Sequence, residues 1–217
     1  MNENILLSWS SGKDSAWTLY ELQKKHGIKG LFTTINKKFN RVAMHAVRVE
    51  LLKKQAQCLN LPITIIELPY PCNNEEYGKI MESFLEECLN NNIQQIAFGD
   101  LYLEDIKDYR IKQMQSTDIE PIFPIWKKNT KLLANQMIEE GLKAIITCVD
   151  PKQLDPSFCG RKYDLDFLKD LPDSIDPCGE NGEFHSFVYD GPMFQNPMKI
   201  NIGETIERDG FYFTDLI

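Results

Sequence analysis

The chain has 217 residues, 42% hydrophobic and 26% charged, enough to bury a real core in one large domain or in a nucleotide-binding domain with a smaller companion. A formal net charge of −8 with scattered lysines disfavours a nucleic-acid partner, which needs a clustered basic face. No apolar run approaches the roughly 20 residues of a membrane span, and the opening Met-Asn-Glu-Asn lacks the basic region of a signal peptide, so the expectation is a cytoplasmic protein with no membrane partner.

Strand-like and helix-like stretches then alternate. Residues 4–7 (NILL) predict a short strand, and DSAWTLYELQKKHG a helix capped by Gly27. Residues 29–36 predict a second strand, 45–62 a helix stopped by Pro62, and 63–68 a third strand rich in β-branched residues. A helix over 75–92, a fourth strand over 93–100 and a helix over 103–116 follow. Residues 120–126 read as a short extended piece broken by prolines, 129–141 as a helix with an Asn N-cap, and 142–149 as a fifth strand.

This alternation points to βαβ units: an α/β fold with a doubly wound, mostly parallel five-stranded sheet. From 150 to 197 the periodicity fades into Pro, Gly and Asp, and the last segment reads as short strands turning at Gly203 and at RDG. The expected division is residues 1–128 and 129–217, the second a smaller α+β part packed on the first. The six cysteines (58, 72, 88, 148, 159 and 178) include no Cys-x-x-Cys pair, so a zinc site or redox dithiol is not expected.

The stretch SWSSGKDS lies between the first strand and the first helix. Free N–H groups at a helix start, with the dipole behind them, make an anion site. Gly12 is expected to supply a positive-φ turn there. Ser8, Ser10, Ser11 and Ser15 offer hydroxyl donors, Lys13 a mobile positive charge, and Asp14 a carboxylate. This is not the Walker loop, since Asp14 follows the lysine. Trp17 reads as core, and Trp9 as packing beneath the loop or stacking on a base.

The loop resembles that of the PP-loop ATP pyrophosphatases, also called adenine nucleotide alpha hydrolases, with Ser11 in place of the usual first glycine. RVAMHAVR, FGDLYLEDIKDYR, PIWKKNT and DPCGENGEFHSFVYDGPMF resemble the diphthine–ammonia ligase family over essentially the whole chain. The resemblance implies a HUP-like sheet of order 3-2-1-4-5 and cleavage of ATP between its α and β phosphates. It also implies ATP binding at Ser8, Ser10, Ser11, Gly12, Lys13, Asp14 and Ser15, with Lys13 holding the pyrophosphate.

Other residues follow from chemistry and resemblance together. Asp100, after Gly99 at the end of the fourth strand, either caps the next helix or faces the loop; with Asp14 it suits Mg²⁺ bound beside phosphate oxygens. His45 and Arg48 share a helix face and are expected to contact phosphate or the substrate acid. Glu104, Asp105, Asp108 and Arg110 read as a solvated charged face. In GENGEFHSF, two glycines bracket Glu180 and Asn181, which are expected to bind substrate. Glu183 and His185 fall on one face of a strand; they are either the flank of an amphipathic strand or, as the resemblance implies, catalytic. Trp126 and Lys127 are expected on the cleft wall.

The resulting expectation is an ATP-dependent amidoligase that adenylates a carboxylate and transfers ammonia to it. The resemblance names the carboxylate as diphthine on elongation factor 2. The alternatives are an ATP pyrophosphatase acting on another small carboxylate, or a nucleotide-binding module without chemistry. Oligomerisation is left open. The charge and the missing Cys-x-x-Cys pair weigh against a tRNA-thiolating relative.

Overall fold

The computed structural model describes residues 4–38, 41–42 and 47–217. Its first sheet is built on strands β1 (Ile5–Ser8), β2 (Ile28–Asn36), β4 (Ile63–Leu68), β5 (Gln95–Ala97) and β6 (Glu120–Ile122), with the two-residue β3 (Arg41–Val42) antiparallel to the end of β2. The five parallel strands lie in the order β4-β2-β1-β5-β6, which is 3-2-1-4-5 in chain order. The order is the expected one, but its fifth member is the proline-broken piece and not residues 142–149. Pro121 donates no ladder bond, and β6 occupies the sheet edge, where that is tolerated.

Residues Lys143–Val149 form β7 of a second, antiparallel sheet of order β8-β7-β10-β9, with β8 (Phe184–Asp190), β9 (Ile202–Arg208) and β10 (Phe211–Leu216). Six of the seven β7 residues are buried, so its largely apolar run reflects covering on both faces. Asp209 and Gly210 turn β9 into β10 with positive φ at both, as RDG suggests. Gly203 does not turn; it lies inside β9 against the Asp215 carbonyl.

The helices are α1 (Lys13–Gln23), α2 (Val49–Leu59), α3 (Asn74–Asn90), α4 (Glu104–Met114), α5 (Thr130–Glu139) and α6 (Leu165–Asp170). The α2 helix ends on Asn60 in the left-handed conformation, before Pro62. Asn129 caps α5 through Leu132 N–H, as expected, while Asn73 and Glu76 form a capping box on α3.

Side chains alternate across the sheet and fill two cores. Leu6, Phe32, Ile96 and Phe98 pack with α3 and Met114 on one side. Ile5, Leu7 and Leu31 pack with α1 and α2 on the other, in a cluster that continues through α5, β7 and β8. The second sheet thus shares its core with the first, and β8 passes beneath the loop between β1 and α1: Val188 N–H donates to the Ser11 carbonyl at 3.0 Å. Among the described residues no helix is long and apolar enough to cross a membrane.

Candidate functional site

The loop from Ser8 to Lys13 turns at Ser11, whose φ is 71°, and not at Gly12, which is extended at φ −87° and serves as the N-cap of α1. A left-handed serine costs about 1–2 kcal/mol. Its carbonyl is gripped by Val188 N–H at 3.0 Å and Gln55 Nε2 at 3.1 Å, which hold the peptide in that orientation. Ser11 Oγ is buried and has no hydrogen-bond partner among the described residues. Ser10 Oγ accepts from Gly12 N–H at 3.3 Å and lies 3.1 Å from Ser15 Oγ, which itself donates to the Gly12 carbonyl at 3.0 Å. Trp9 is buried beneath the loop, its Nε1 donating to Gln55 Oε1 at 2.7 Å.

Lys13 does not carry the mobile charge expected of it. Its residue is 2% exposed, its Nζ bonds both Asp14 oxygens at 3.0 and 2.8 Å and the Cys178 carbonyl, and the Tyr163 and Phe184 rings flank it at 5.8 and 5.5 Å. Burial alone would lower its pKa, but the Asp14 charge and bond outweigh this and raise it, so the ammonium stays protonated. For Asp14 burial is the larger influence and pushes the carboxyl up against the pull of Lys13. The pair locks the helix start to residue 178.

In front of the loop lies a cleft of about 630 Å³, walled by Ser8, Ser10, Asp14 and Ser15 on one side and by Gly179–Gly182 on the other, with Asp100, Arg110 and His185 completing it. A second cavity of about 510 Å³ adjoins it, lined mainly by Phe32, Met81, Phe84, Ile96 and Met114; Ser8, Ser10, Phe98, Leu103, Arg110 and His185 belong to both. The ends of β1 and β5 meet here because residue 99 is glycine: a Cβ would stand 3.0 Å from Asp14 C and Ser15 N. Asp100 reaches Arg110 Nε at 3.5 Å, and burial raises its carboxyl's pKa despite that partner.

The opposite wall is ordered by two glutamates. Glu180 Oε1 accepts from Leu101 N–H at 3.3 Å and Tyr102 N–H at 2.8 Å, and burial raises its pKa. Glu183 is 1% exposed; it accepts from Asp176 N–H at 3.0 Å, Asn181 N–H at 2.8 Å and Asn181 Nδ2 at 3.0 Å. At residue 179 φ is +68° and a Cβ would meet the Phe184 carbonyl at 2.7 Å, which leaves room for glycine alone. Among the described residues, no three or more His, Cys, Asp or Glu are grouped to hold a metal by themselves. The carboxylates of Asp14, Asp100 and Glu180 along the cleft instead suit an ion that brings phosphate oxygens and water as its other ligands.

Residues 3–116 match the family model described as the diphthamide synthase N-terminal domain, and residues 129–215 the one described as the diphthamide synthase C-terminal domain. The chain belongs to the diphthamide synthase family. Curated relatives named diphthine–ammonia ligase include one from Bos taurus, 25% identical over 148 residues (65% of this chain and 55% of the relative). Those from Homo sapiens and Danio rerio are 24% and 27% identical, over 62% and 61% of this chain and 52% of each relative. The chain spans about half the length of these relatives.

Within this family member, the cleft collects Ser8, Ser10, Asp14, Ser15, Asp100, Glu180, Asn181 and His185 of the residues expected in the site. Ser11 and Lys13 lie behind the loop and Glu183 behind the second wall. Arg48 is not brought to the cleft: as the N-cap of α2 it forms a two-point pair with Asp215 of β10, Nε to Oδ1 at 3.2 Å and Nη2 to Oδ2. Trp126 and Lys127 are likewise absent from its walls, and Lys127 Nζ pairs with Glu104 at 2.9 Å. His45 lies outside the described residues.

Three contributors escaped the sequence reading. Ser186 Oγ accepts from Lys13 N–H at 3.2 Å, Gln55 joins Trp9, Ser11 and Val188, and Arg110 lines both cavities. Gln55 carried a signal, being polar among Leu52, Ala56 and Leu59 on the buried face of α2.

Proposed function

We propose that this protein is an ATP-dependent amidoligase that converts a carboxylate to an amide by way of an acyl-adenylate, with diphthine on elongation factor 2 as the acid, ammonia as the amine, and the cytoplasm as the place of action. The observation that carries the reading is the loop of residues 8–15, which brings Ser8, Ser10 and Ser15 at a helix start onto a polar cleft that adjoins an apolar cavity. That is the division a nucleoside triphosphate needs.

The base and ribose occupy the apolar cavity, and the phosphates meet Ser8, Ser10, Ser15 and the amides at the start of α1. A carboxylate is a poor electrophile at neutral pH. Its oxygen attacks the α-phosphorus, the bond to the bridging oxygen breaks, and that electron pair leaves on pyrophosphate. Ammonium gives up one proton to the Glu180 carboxylate, and the ammonia left attacks the acyl carbon and passes a second proton to water. The C–O bond to AMP breaks with its electron pair leaving on the AMP phosphate. Asp14 and Asp100 are the residues that would hold Mg²⁺, which when bound neutralises phosphate charge. Glu180 offers its second oxygen to the incoming ammonium, neutral His185 orients the amine, and Glu183 with Asn181 fixes the wall that carries them.

The deciding experiment incubates the protein with Mg²⁺, ammonium and ATP labelled at the α-phosphate, with and without elongation factor 2 carrying diphthine, and separates AMP from ADP. AMP formed only with the factor, and lost in Ser10→Asp where a carboxylate blocks the anion site, is the expected result. ADP would overturn the α–β cleavage. AMP formed with other small carboxylates but not with the factor would favour a different acid in the same chemistry.

A further inference from the structure

The charges along the cleft are lopsided. Asp14, Asp100 and Glu180 line its polar half, while the Lys13 ammonium is buried behind the loop and committed to Asp14 and Cys178. Burial and the Lys13 charge push the His185 pKa down to about 4, so its ring is neutral at physiological pH. Among the described residues lining either cavity, Arg110 is the one side chain with a permanent positive charge.

Its setting is that of a receptor and not of a surface ion pair. The guanidinium carbon stands over the Phe98 ring, 4.5 Å from its centre. Nε reaches Asp100 only at 3.5 Å, the far limit of a hydrogen bond, and neither terminal nitrogen has a hydrogen-bond partner among the described residues. A planar fork with two free ends matches the oxygens of a phosphate. Arg110 also stands where the two cavities join. A nucleotide with its nucleoside in the apolar cavity and its outer phosphates at the serine loop brings its α-phosphate to that junction.

We infer that Arg110 binds a non-bridging oxygen of the nucleotide α-phosphate, the phosphorus attacked in the reaction; this rests on the nucleotide reading above. As the carboxylate oxygen bonds to that phosphorus and pyrophosphate leaves with the bridging electron pair, the terminal nitrogens face the charge that builds there. Asp100 meets the side chain only at Nε and leaves those nitrogens free.

The test needs no turnover. Adenosine, AMP and ATP are titrated calorimetrically, without metal, into the wild-type protein, Arg110→Lys and Arg110→Gln, with circular dichroism to check folding. Arg110→Gln is expected to weaken AMP and ATP by the same factor, roughly tenfold to hundredfold for a lost charged hydrogen bond, and to leave adenosine unchanged. Arg110→Lys keeps the charge without the fork and falls between. An equal loss for adenosine would overturn the assignment by making Arg110 a wall of the nucleoside pocket. A loss for ATP but not AMP would overturn it in favour of the outer phosphates. Unchanged affinities in Arg110→Gln overturn the assignment alone, whereas a wild-type protein that binds none of the three overturns the nucleotide reading with it.

Discussion

His185 faces both cavities from the start of β8, and burial is the main reason that its pKa falls from 6.5 to about 4, with the Lys13 charge adding to the effect and Glu183 opposing it. The unfolded chain therefore takes up a proton that the folded one refuses. The contribution of this residue to stability is complete above pH 6.5 and drains away as the pH falls toward 4. Asp14, Asp100 and Glu180 slope the other way, because carboxyls raised by burial favour the fold at low pH. The total acid limb mixes both signs, and only a difference isolates the histidine. His185→Gln, which does not titrate, is expected to lose less stability than wild type between pH 7 and 4, by no more than about 3 kcal/mol. Urea midpoints measured across that range check this, and parallel curves for the two proteins would contradict the neutral, half-buried ring.

Gly99 couples β5 to α1, and the approach is between backbones: the Asp14 carbonyl carbon and the Ser15 nitrogen, each 3.0 Å from where a Cβ would be. A flexible side chain could swing aside, but the first turn of a helix cannot. Gly99→Ala is expected to lower stability by about 1–3 kcal/mol. Shifting the helix start should also weaken ATP binding by roughly tenfold, the equivalent of about 1.4 kcal/mol. Calorimetry with ATP on the folded variant tests it; an unchanged affinity would mean that β5 does not set the loop. This element also shows what could be read in advance. The strand–loop–helix alternation was legible because apolar runs and βα turns are local signals, whereas the 3-2-1-4-5 order followed only from the resemblance to the PP-loop family. The fifth strand was assigned to residues 142–149 because apolar content outweighs two prolines in any local reading, while edge position is a property of the assembled sheet. The loop and the strand end pointed to Ser8, Ser10, Ser15 and Asp100 as neighbours, and these line one cleft, while Ser11 Oγ is buried away from it. The placements of Lys13, Arg48 and Arg110 were not legible, because a long cationic side chain settles on partners that local sequence does not reveal: the Cys178 carbonyl, Asp215 and the Phe98 ring.

At the scale of the whole molecule, the two sheets are tied directly beneath the loop. Gln55 on α2 accepts from Trp9 and donates to the carbonyls of Ser11 and of Val188, at 3.1 and 2.6 Å. Lys13 uses both its N–H and its Nζ on residues of the second half, Ser186 and Cys178. The main core runs unbroken from Leu7 and Trp17 through Leu133 to Phe184 and Phe187. The two stretches that match family models separately should therefore unfold together. A fragment of residues 1–128 would leave the inner faces of α1 and α2 in water and the Ser11 peptide without Val188. It is expected to show no cooperative transition and no measurable affinity for ATP. In the full chain the three tryptophans, Trp9, Trp17 and Trp126, all precede residue 129, so their fluorescence follows the first part and its contact with the second. Far-ultraviolet circular dichroism reports on both parts. Coincident urea transitions by the two probes are expected, as one cooperative unit requires. A second transition seen only by circular dichroism, together with a folded, ATP-binding fragment, would show instead that the first part builds its loop without β8, and that the contacts of Gln55 and Lys13 merely dock a finished domain.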